Sequence, residues 1–583
     1  MVEPVAPSSV APRRRRQTRA MSDRAPTLPR SGLRSLLRAQ LDPRVGLRKP
    51  ISLGVLPRRA ADTFGRVPIH LDRPLDVDPQ QRPQLDYVAH ALLVEELSAA
   101  FHAAGVRPWD RVAIVKQPSF DVLTLAAAVA RLGAIPALVS ARLDGEILGI
   151  LLDRLQAPFV FTDQATVEAA GLPFDRWHAP GTRVIGAVEG GLPLEQLWGG
   201  AVPAATPRRD DEPVVITHTS STTGISKLAE NSVAGVGFMA FMEAWPPFAH
   251  SRRELVASCI SFVHVRAVIT TMAALSRGCS LLPLSSTDDE TVIATFGRHR
   301  PTAVESHPNV FVRWERLCDH PDDLFANVRI FLNSFDAAHP RTIERFLAAS
   351  RRTFPVWLQV YGQTEVQGIS IRGYRRGGPR RMSRRGTRTR SLGWPIPGVR
   401  VRIVDPATQR RVLPGRPGAI QVKTPARALQ FVGTPDKYWE RRHGDWFDTG
   451  DWGRRGARGD IEIFDRVADR IDGVRSCLWI EDVLMSRIPQ AAEIVVVPDA
   501  AGLPVPVLCL RDGARLDPAV WHAAADGLGP LGEPVEVAES DLKRTATEKA
   551  RRYLLSELVS ARERTDEAPV AHDRADVLLR EGA

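Results

Sequence analysis

The sequence predicts an α/β protein with a large N-terminal domain of parallel-sheet α/β layers, a β-rich subdomain and a small α+β C-terminal domain. Three observations predict this class: strands alternate with helices from about residue 92, glycine-punctuated strands fill 393–465, and a compact mixed unit follows Arg466. The chain has 583 residues, 44% hydrophobic and 25% charged. This balance is typical of an ordinary globular protein with a large core.

The parallel sheet is predicted from the segment that begins near Leu92. The stretch ELSAAFHAAGVRPWDRVAIVKQPSFDVLTLAAAVARLGAIPALV reads as a helix, the strand RVAIV, a second helix and the strand IPALV. Strands that alternate with helices pair in parallel, and the helices cover the sheet. The alternation continues to Val215 and recurs around 262–265, 303–306, 328–333 and 356–362.

The domain boundaries follow from shifts in composition. Residues 1–50 are rich in Pro, Arg and Ser and are predicted to be a disordered basic tail, in which Met21 is an alternative start to Met1. A large N-terminal domain is predicted over 51–465, a small mobile C-terminal domain over 466–563 and a charged tail over 564–583.

Composition also narrows the class of protein. The cysteines are odd in number and show no CxxC spacing, which argues against a disulfide framework and a zinc site. No apolar run has the length of a bilayer span, and no apolar segment follows the N-terminal charges as in a secretory signal. A soluble, cytoplasmic protein without a membrane span is therefore expected. The five cysteines are Cys259, Cys279, Cys318, Cys477 and Cys509.

The net charge of +11 comes from 78 basic and 67 acidic residues. Two arginine clusters lie at 13–19 and 374–390, and in neither are aromatics interleaved with the arginines to stack on exposed bases, so nucleic acid is not an expected partner. Solvated, flexible segments are the simpler interpretation of both clusters.

A hydroxyl-rich loop follows the apolar strand at Val214–Thr217. The stretch THTSSTTGISK runs from Thr217 to Lys227. A Ser/Thr run is usually a solvated turn, but loops at the carboxyl ends of parallel strands bind ligands. Hydroxyls, backbone N–H groups near Gly224 and the charge of Lys227 suit a polyphosphate. The pattern is not a Walker A loop, because GxxxxGK[ST] is absent.

At this point the chain resembles the adenylate-forming superfamily of acyl- and aryl-CoA ligases, peptide-synthetase adenylation domains and beetle luciferases. The phosphate loop of that family reads [ST]SGTTGxPKG, and Thr219–Leu228 reads TSSTTGISKL. Four further segments follow in the family's order: YGQTE at 361–365, LGWPIPGVRVRIVD at 392–405, GDWFDTGD at 444–451 and LKRTATEKARR at 542–552. The resemblance implies ATP-binding residues at Thr219, Ser220, Ser221, Thr222, Thr223, Gly224 and Lys227.

The same resemblance implies roles for YGQTE and the later motifs. Tyr361, with Gly362 and Gln363, would border the nucleotide, Thr364 would contact the phosphate or the acid, and Glu365 would help hold Mg²⁺. Asp451 would bind the ribose hydroxyls, and a carboxylate is suited to accept hydrogen bonds from a vicinal diol. The resemblance further implies Arg466 as a nucleotide contact and Lys549 as the catalytic lysine that offsets negative charge during attack on the α-phosphate.

The substrate is indicated by SFVHVRA at 261–267, where amino-acid adenylation domains of the family carry FDxS. His264 in place of aspartate leaves no carboxylate for an α-ammonium, which favours an acyl, aryl or other non-amino carboxylic acid with His264 as a substrate-binding residue. The alternative is that His264 is a satisfied core residue beside a strand. Other family positions also differ: Phe335–Ala338 replaces GGAP, Ala468 the usual pivot aspartate, Asp472 a lysine of the second half-reaction, and Glu548 the glycine before Lys549.

Three functions follow from these residues. The first is an acid–CoA ligase, which makes an acyl-adenylate from ATP and then a thioester with CoA. The second sends the acyl group to the phosphopantetheine of an acyl or peptidyl carrier protein, which the basic 372–390 segment would dock. The third is a catalytically silent nucleotide-binding homologue.

Overall fold

The computed structural model describes residues 52–177, 181–219, 225–244, 254–378, 390–511, 514–545 and 549–566. The predicted basic tail and the hydroxyls Ser220–Thr223 lie outside these residues, as do Gly224, Glu548 and most of the 374–390 cluster.

The strands, in chain order, are β1 (Pro68–His70), β2 (Gln84–Asp86), β3 (Arg111–Lys116), β4 (Ile135–Ser140), β5 (Phe159–Phe161), β6 (Arg183–Ile185), β7 (Pro213–His218), β8 (Leu228–Ser232), β9 (Leu255–Cys259), β10 (Ser280–Pro283), β11 (Ala303–Ser306), β12 (Ile330–Asn333), β13 (Val356–Gln363), β14 (Gln367–Tyr374), β15 (Ser391–Pro395), β16 (Arg400–Val404), β17 (Gly418–Lys423), β18 (Gln430–Val432), β19 (Arg442–His443), β20 (Trp446–Arg455), β21 (Ile461–Arg466), β22 (Ala491–Pro498), β23 (Pro504–Leu510) and β24 (Val535–Val537).

The α-helices are α1 (Leu56–Phe64), α2 (Tyr87–Ala103), α3 (Asp121–Arg131), α4 (Gly145–Leu155), α5 (Gln164–Ala170), α6 (Val233–Ala244), α7 (Val265–Arg277), α8 (Asp289–His299), α9 (Pro308–Trp314), α10 (Pro340–Ala349), α11 (Pro435–Trp439), α12 (Cys477–Arg487), α13 (Pro518–Ala525) and α14 (Arg552–Asp566). Within the described residues, no helix combines the length and apolar character needed to cross a membrane.

The predicted α/β class is confirmed, with a large N-terminal part and a smaller C-terminal part. Strands β3 to β7 pair in parallel within a seven-stranded sheet of order β18-β8-β7-β4-β3-β5-β6. Strands β9 to β13 form a second parallel set, which continues through the antiparallel β14 and β15 into the β-rich segment as one 14-stranded sheet. The small C-terminal part has its own three-stranded sheet, β22-β23-β24.

The unit around 262–265 differs from the alternation expected there. Its strand, β9, ends at Cys259, and His264 is instead the N-cap of α7. An N-cap side chain accepts a hydrogen bond from one of the free N–H groups of the first turn, and His264 Nδ1 accepts from Arg266 N at 3.0 Å. The apolar residues Phe262 and Val263 are buried in the loop between the two elements, so their pattern alone does not distinguish a strand from a buried turn.

Aromatic packing fixes the helices on the 14-stranded sheet. A second core lies under α8 to α10, where ring centroids are 4.6 to 6.4 Å apart. Aromatic pairs at these separations add about 0.5–1.5 kcal/mol each beyond their area burial. The positions of β11 to β13, which carry the candidate site, are therefore well defined. The rings include Phe296, Phe311, Trp314, Phe325, Phe331, Phe346 and Trp357.

Candidate active site

A cavity of about 350 Å³ lies where the two large sheets and the small C-terminal part meet. This volume is within the range of small-molecule sites. Most of the predicted site residues that the structure describes line it, although they come from five separate segments of the chain. They are Thr219, Lys227, His264, Gly362, Gln363, Thr364, Glu365, Arg466 and Lys549. Tyr361 and Asp451 instead line the adjoining cleft between the large and small parts.

The ends of the predicted phosphate loop are held by a hairpin. Strands β7 and β8 are antiparallel, with His218 opposite Leu228. Thr219 N donates to Lys227 O at 2.8 Å, and Lys227 N donates to Thr219 Oγ1 at 3.0 Å. These bonds turn Lys227 toward the cavity, where burial and neighbouring cations lower the pKa of its ammonium.

Glu365 lies among cations at the centre of the site. Burial alone would raise the pKa of its carboxyl, but Arg441, Arg466 and Lys227 outweigh burial and hold that pKa below its ordinary value. Arg441 Nη1 is 2.8 Å from Glu365 Oε1. The charge balance favours a polyanion, since Lys437 also lines the cavity.

Arg441 and Lys437 were not predicted from the sequence. Both lie in the stretch KYWERRHGDWFDTGD, directly before the motif that carries Asp451. Their closeness in sequence to that motif was the one signal that could have indicated a role for them in the site. The structure adds what spacing could not: Arg441 Nε also donates to Asp448 O at 3.0 Å, which fixes its guanidinium beside Glu365.

Asp451 is buried at the join of β20 and β21, where it lies opposite Arg466. Its carboxylate accepts hydrogen bonds from the Tyr361 hydroxyl and from Gln363 Nε2 at 2.7 Å, and Arg466 Nε is 3.3 Å away. Burial and the negative charge of Asp451 raise the pKa of Tyr361 well above its ordinary value. Four of the predicted nucleotide residues, Tyr361, Gln363, Asp451 and Arg466, thus form one polar cluster at the edge of the cavity.

Lys549 enters the cavity from the small C-terminal part, just before α14. Its ammonium is 4.0 Å from Asp336 Oδ2, which belongs to the loop after β12. From the sequence, Lys549 could also be an ordinary residue of the last helix. The structure instead places it ahead of the helix and in the same cavity as Lys227, which is the placement that charge stabilisation at a phosphate requires.

His264 is held as a neutral hydrogen-bond donor. Because Nδ1 accepts from Arg266 N, the ring proton is on Nε2, which is 3.3 Å from Thr364 Oγ1. Burial, with nearby histidines and cations, lowers the pKa of His264 to about 3. His264 is therefore suited to orient an oxygen at Thr364 and not to remove a proton at neutral pH.

A buried ion cluster supports the floor of the cavity. Arg266 donates to Glu305 from Nε at 2.5 Å and from Nη2 at 3.1 Å, and a third hydrogen bond joins it to Glu243. Thr270 Oγ1 donates to Glu305 Oε2 at 2.8 Å. Within the described residues, no cluster of three or more His, Cys, Asp or Glu side chains could hold a metal ion.

Neutral buried histidines predict how stability depends on pH. Burial lowers the pKa to about 3 for His264 and His307, and to about 4 for His90 and His339. The unfolded chain therefore binds more protons than the folded chain below about pH 6.5, so stability is full above that pH and is lost as pH falls. Each histidine should contribute about 1 kcal/mol of loss between pH 7 and 5.5.

Urea unfolding at these two pH values tests that slope. Asp465 acts in the opposite direction, because burial raises its pKa to about 7. Burial also raises the pKa of Asp121, Glu305 and Glu493. It lowers the pKa of His70, His218 and His299 as well, so the histidines outnumber the carboxyls and a net loss at pH 5.5 is expected. A free energy of unfolding that is equal or greater at pH 5.5 would contradict the neutral assignment of the histidines.

A family model described as AMP-binding enzyme matches residues 67–431. The chain therefore belongs to the AMP-binding enzymes, and the predicted resemblance is confirmed. ATP-dependent adenylation of an acid is the class of reaction that this family supports.

Two relatives carry the name diazotase. The chain is 36% identical over 547 residues to 3-amino-2-hydroxy-4-methoxybenzoate diazotase from Streptomyces cremeus, covering 88% of this chain and 97% of the relative. It is 26% identical to 3-aminoavenalumate diazotase from a Streptomyces species, covering 76% of this chain and 77% of that one. A solved benzoate CoA ligase from Burkholderia xenovorans LB400 shares the fold, with a TM-score of 0.73, 20% identity and coverage of 87% and 100%.

Proposed function

We propose that this protein is an ATP-dependent arylamine diazotase, which activates nitrite at the α-phosphate of ATP and delivers the nitroso group to the amino group of an aromatic acid. The observation that carries the proposal is the 36% identity to a diazotase across nearly its whole length. It is supported by a site in which the predicted adenylation residues converge on one cavity.

Nitrite fits an adenylate-forming site because it is an oxyanion of the same charge as a carboxylate. In the first step a nitrite oxygen attacks the α-phosphorus and the bond to pyrophosphate breaks. The arylamine nitrogen then attacks the nitroso nitrogen, an N–N bond forms, AMP departs with the nitrite oxygen, and the amine loses a proton. The resulting N-nitroso compound tautomerises to a diazohydroxide, and protonation of its oxygen expels water to leave the diazonium group.

The polar side of the cavity supplies what the first step needs. Lys227, Arg441 and Lys549 bring three cations to the place where the triphosphate gains and loses charge. Thr364, with the Nε2–H of His264 behind it, is suited to orient the attacking oxygen. A Mg²⁺ ion would be held by Glu365 together with the phosphates and would neutralise the leaving pyrophosphate, which requires Glu365 to exchange Arg441 for the metal.

The other side of the cavity suits a flat aromatic ring. Met239, Ile269, Val360 and Gly368 line it. A β-carbon at Gly368 would lie 2.5 Å from Met239 Cε and 2.9 Å from Ile396 Cδ1, so no larger side chain fits at this position of the wall. The sequence predicted that the activated substrate is a non-amino carboxylic acid. The proposal instead has two reactants: nitrite, an inorganic acid that is activated, and an aromatic amine that accepts the nitroso group.

Thioester formation with CoA, as the sequence predicted, is the second candidate. The cleft that adjoins the cavity, with Tyr361, Asp451 and α12 residues in its walls, is the route by which a thiol would approach. A carrier-protein phosphopantetheine would use the same route. The amine acceptor is preferred because two of the relatives share the name diazotase.

Nitrite labelled with heavy oxygen tests the proposal. With ATP, Mg²⁺ and 3-amino-2-hydroxy-4-methoxybenzoate, we expect heavy oxygen from nitrite in the phosphate of AMP. We also expect a diazonium product, which forms an azo dye when it is coupled to an electron-rich arene. Benzoate with CoA in place of nitrite and amine is the matched reaction for the second candidate. Label-free AMP, or thioester formation without any nitrite-dependent product, would contradict the diazotase assignment.

A further inference from the structure

A strained turn lies between the candidate active site and the cleft beside it. Phe335 has φ of 78°, a left-handed value that is unfavourable for a residue with a β-carbon. Asp336 N donates to Ser334 O at 3.0 Å, which closes a three-residue γ-turn. Asn333 Nδ2 donates to Asp336 O at 2.7 Å, and Trp357 Nε1 holds Asn333 Oδ1 at 2.7 Å. The surroundings thus impose a conformation that glycine would adopt at lower cost.

The ring of Phe335 is held between two uncharged histidines. Its centroid is 4.7 Å from that of His264, nearly edge-on, and 4.3 Å from that of His307. Phe335 lines the active-site cavity and also the interdomain cleft. Phe335 is the aromatic member of the set of residues that line both spaces; the others are Val360, Gly362, Gln363, Arg466 and Lys549.

We propose that Phe335 selects the acceptor by closing the active-site cavity against a thiol that arrives through the interdomain cleft. This inference deepens the proposed function and rests on it, because a closed route leaves an acceptor already bound in the cavity, such as the aromatic amine, as the group that meets the activated acid.

The residues that hold the Phe335 ring belong to the large N-terminal part. His264, His307 and Asn333, which hold the ring and its turn, all lie between β9 and α9 or at the end of β12. The small C-terminal part touches this turn through Lys549 and Asp336. A movement that withdraws Lys549 would therefore leave Phe335 in place, so the route to the cavity stays closed in both arrangements.

A Phe335→Gly variant tests the closure, since it removes the ring and relieves the positive φ. In the presence of ATP and nitrite but no amine, pantetheine should capture the nitroso group: an S–N bond forms, the N–O bond to AMP breaks and the thiol proton is lost. We expect pantetheine-stimulated AMP release, relative to pyrophosphate exchange, to rise about tenfold or more over the wild type.

Two matched variants separate closure from general packing. Phe335→Tyr keeps a ring in the boundary and should behave as the wild type does. Phe354→Ala removes a phenylalanine that is 73% exposed and should have no effect on thiol capture. A wild type that already responds to pantetheine, or a glycine variant that responds no more than the wild type, overturns the proposal.

Binding separates failure of this inference from failure of the proposed function. Two compounds need no turnover: benzoyl sulfamoyl adenosine, and an analogue in which a tetrahedral carbon that bears a pantetheine chain replaces the reacting carbonyl carbon. We expect the wild type to bind the short compound at least tenfold more tightly, and Phe335→Gly to bind both alike. Equal binding of both compounds by the wild type overturns the closure. Absence of nitrite-dependent AMP formation refutes only the diazotase reaction, because binding still measures the closure.

Discussion

Replacing Lys549 with alanine is expected to lower nitrite-dependent or acid-dependent pyrophosphate exchange by about 100- to 1000-fold, the usual cost of removing one group that stabilises transition-state charge. The ammonium lies in the same cavity as Lys227 and Arg441, where the α-phosphate would react. Its side chain is 27% exposed and its partner Asp336 is 4.0 Å away, so the fold does not depend on it. Thermal unfolding should occur at an unchanged temperature.

Lys543 provides the control for that experiment. It is six positions earlier in the same segment, is exposed and does not line the cavity. Lys543→Ala should retain full exchange. Equal losses in the two variants would mean that net charge in this segment, and not the position of Lys549, supports the reaction.

Replacing Arg266 with methionine is expected to cost about 3–5 kcal/mol of unfolding free energy, the range found when one partner of a buried ion pair is removed. The change leaves Glu243 and Glu305 as adjacent buried carboxylates without their cation. Burial already raises the pKa of Glu305 while Arg266 opposes that shift, so the pKa should rise further in the variant. The folded variant then binds protons more readily than the unfolded chain, and part of the loss is recovered as pH falls.

Denaturant unfolding of Arg266→Met at pH 7 and pH 5.5 measures both effects. Arg316→Met is the matched control, because its ion pair with Asp289 is largely exposed and such pairs contribute about 0–1 kcal/mol. A loss of the same size in both variants would show that the buried cluster contributes no more than a surface pair.

Local patterns predicted the parts of the site that lie within one segment. The alternation of strand and helix gave β3, α3 and β4, and the apolar strand before Thr219 is β7. YGQTE lies at the end of β13, and DTGD lies in β20. These motifs could be recognised in the sequence because each is a run of consecutive residues on or directly after one strand.

The remaining features depend on contacts between distant segments. Arg266 meets Glu305 across 39 positions and Glu243 across 23, and Arg441 meets Glu365 across 76. Spacing within the sequence carries no signal for such pairs. The left-handed backbone of Phe335 could not be predicted either. The sequence shows that phenylalanine replaces a glycine of the family's GGAP motif, but it does not show which backbone conformation the phenylalanine adopts.

The 14-stranded sheet has a mechanical consequence for the small C-terminal part. Hydrogen bonding runs without interruption from the parallel strands that carry the site to β21, and β21 ends at Arg466. The next residues, Val467–Asp469, form only a short 3₁₀ turn. Beyond this turn α12 begins, and its first two N–H groups donate to Asp465 at 3.2 and 3.1 Å. Torsion of the backbone is thus concentrated in a few residues beside Arg466, so a swing of the C-terminal sheet would pivot next to the nucleotide end of the site.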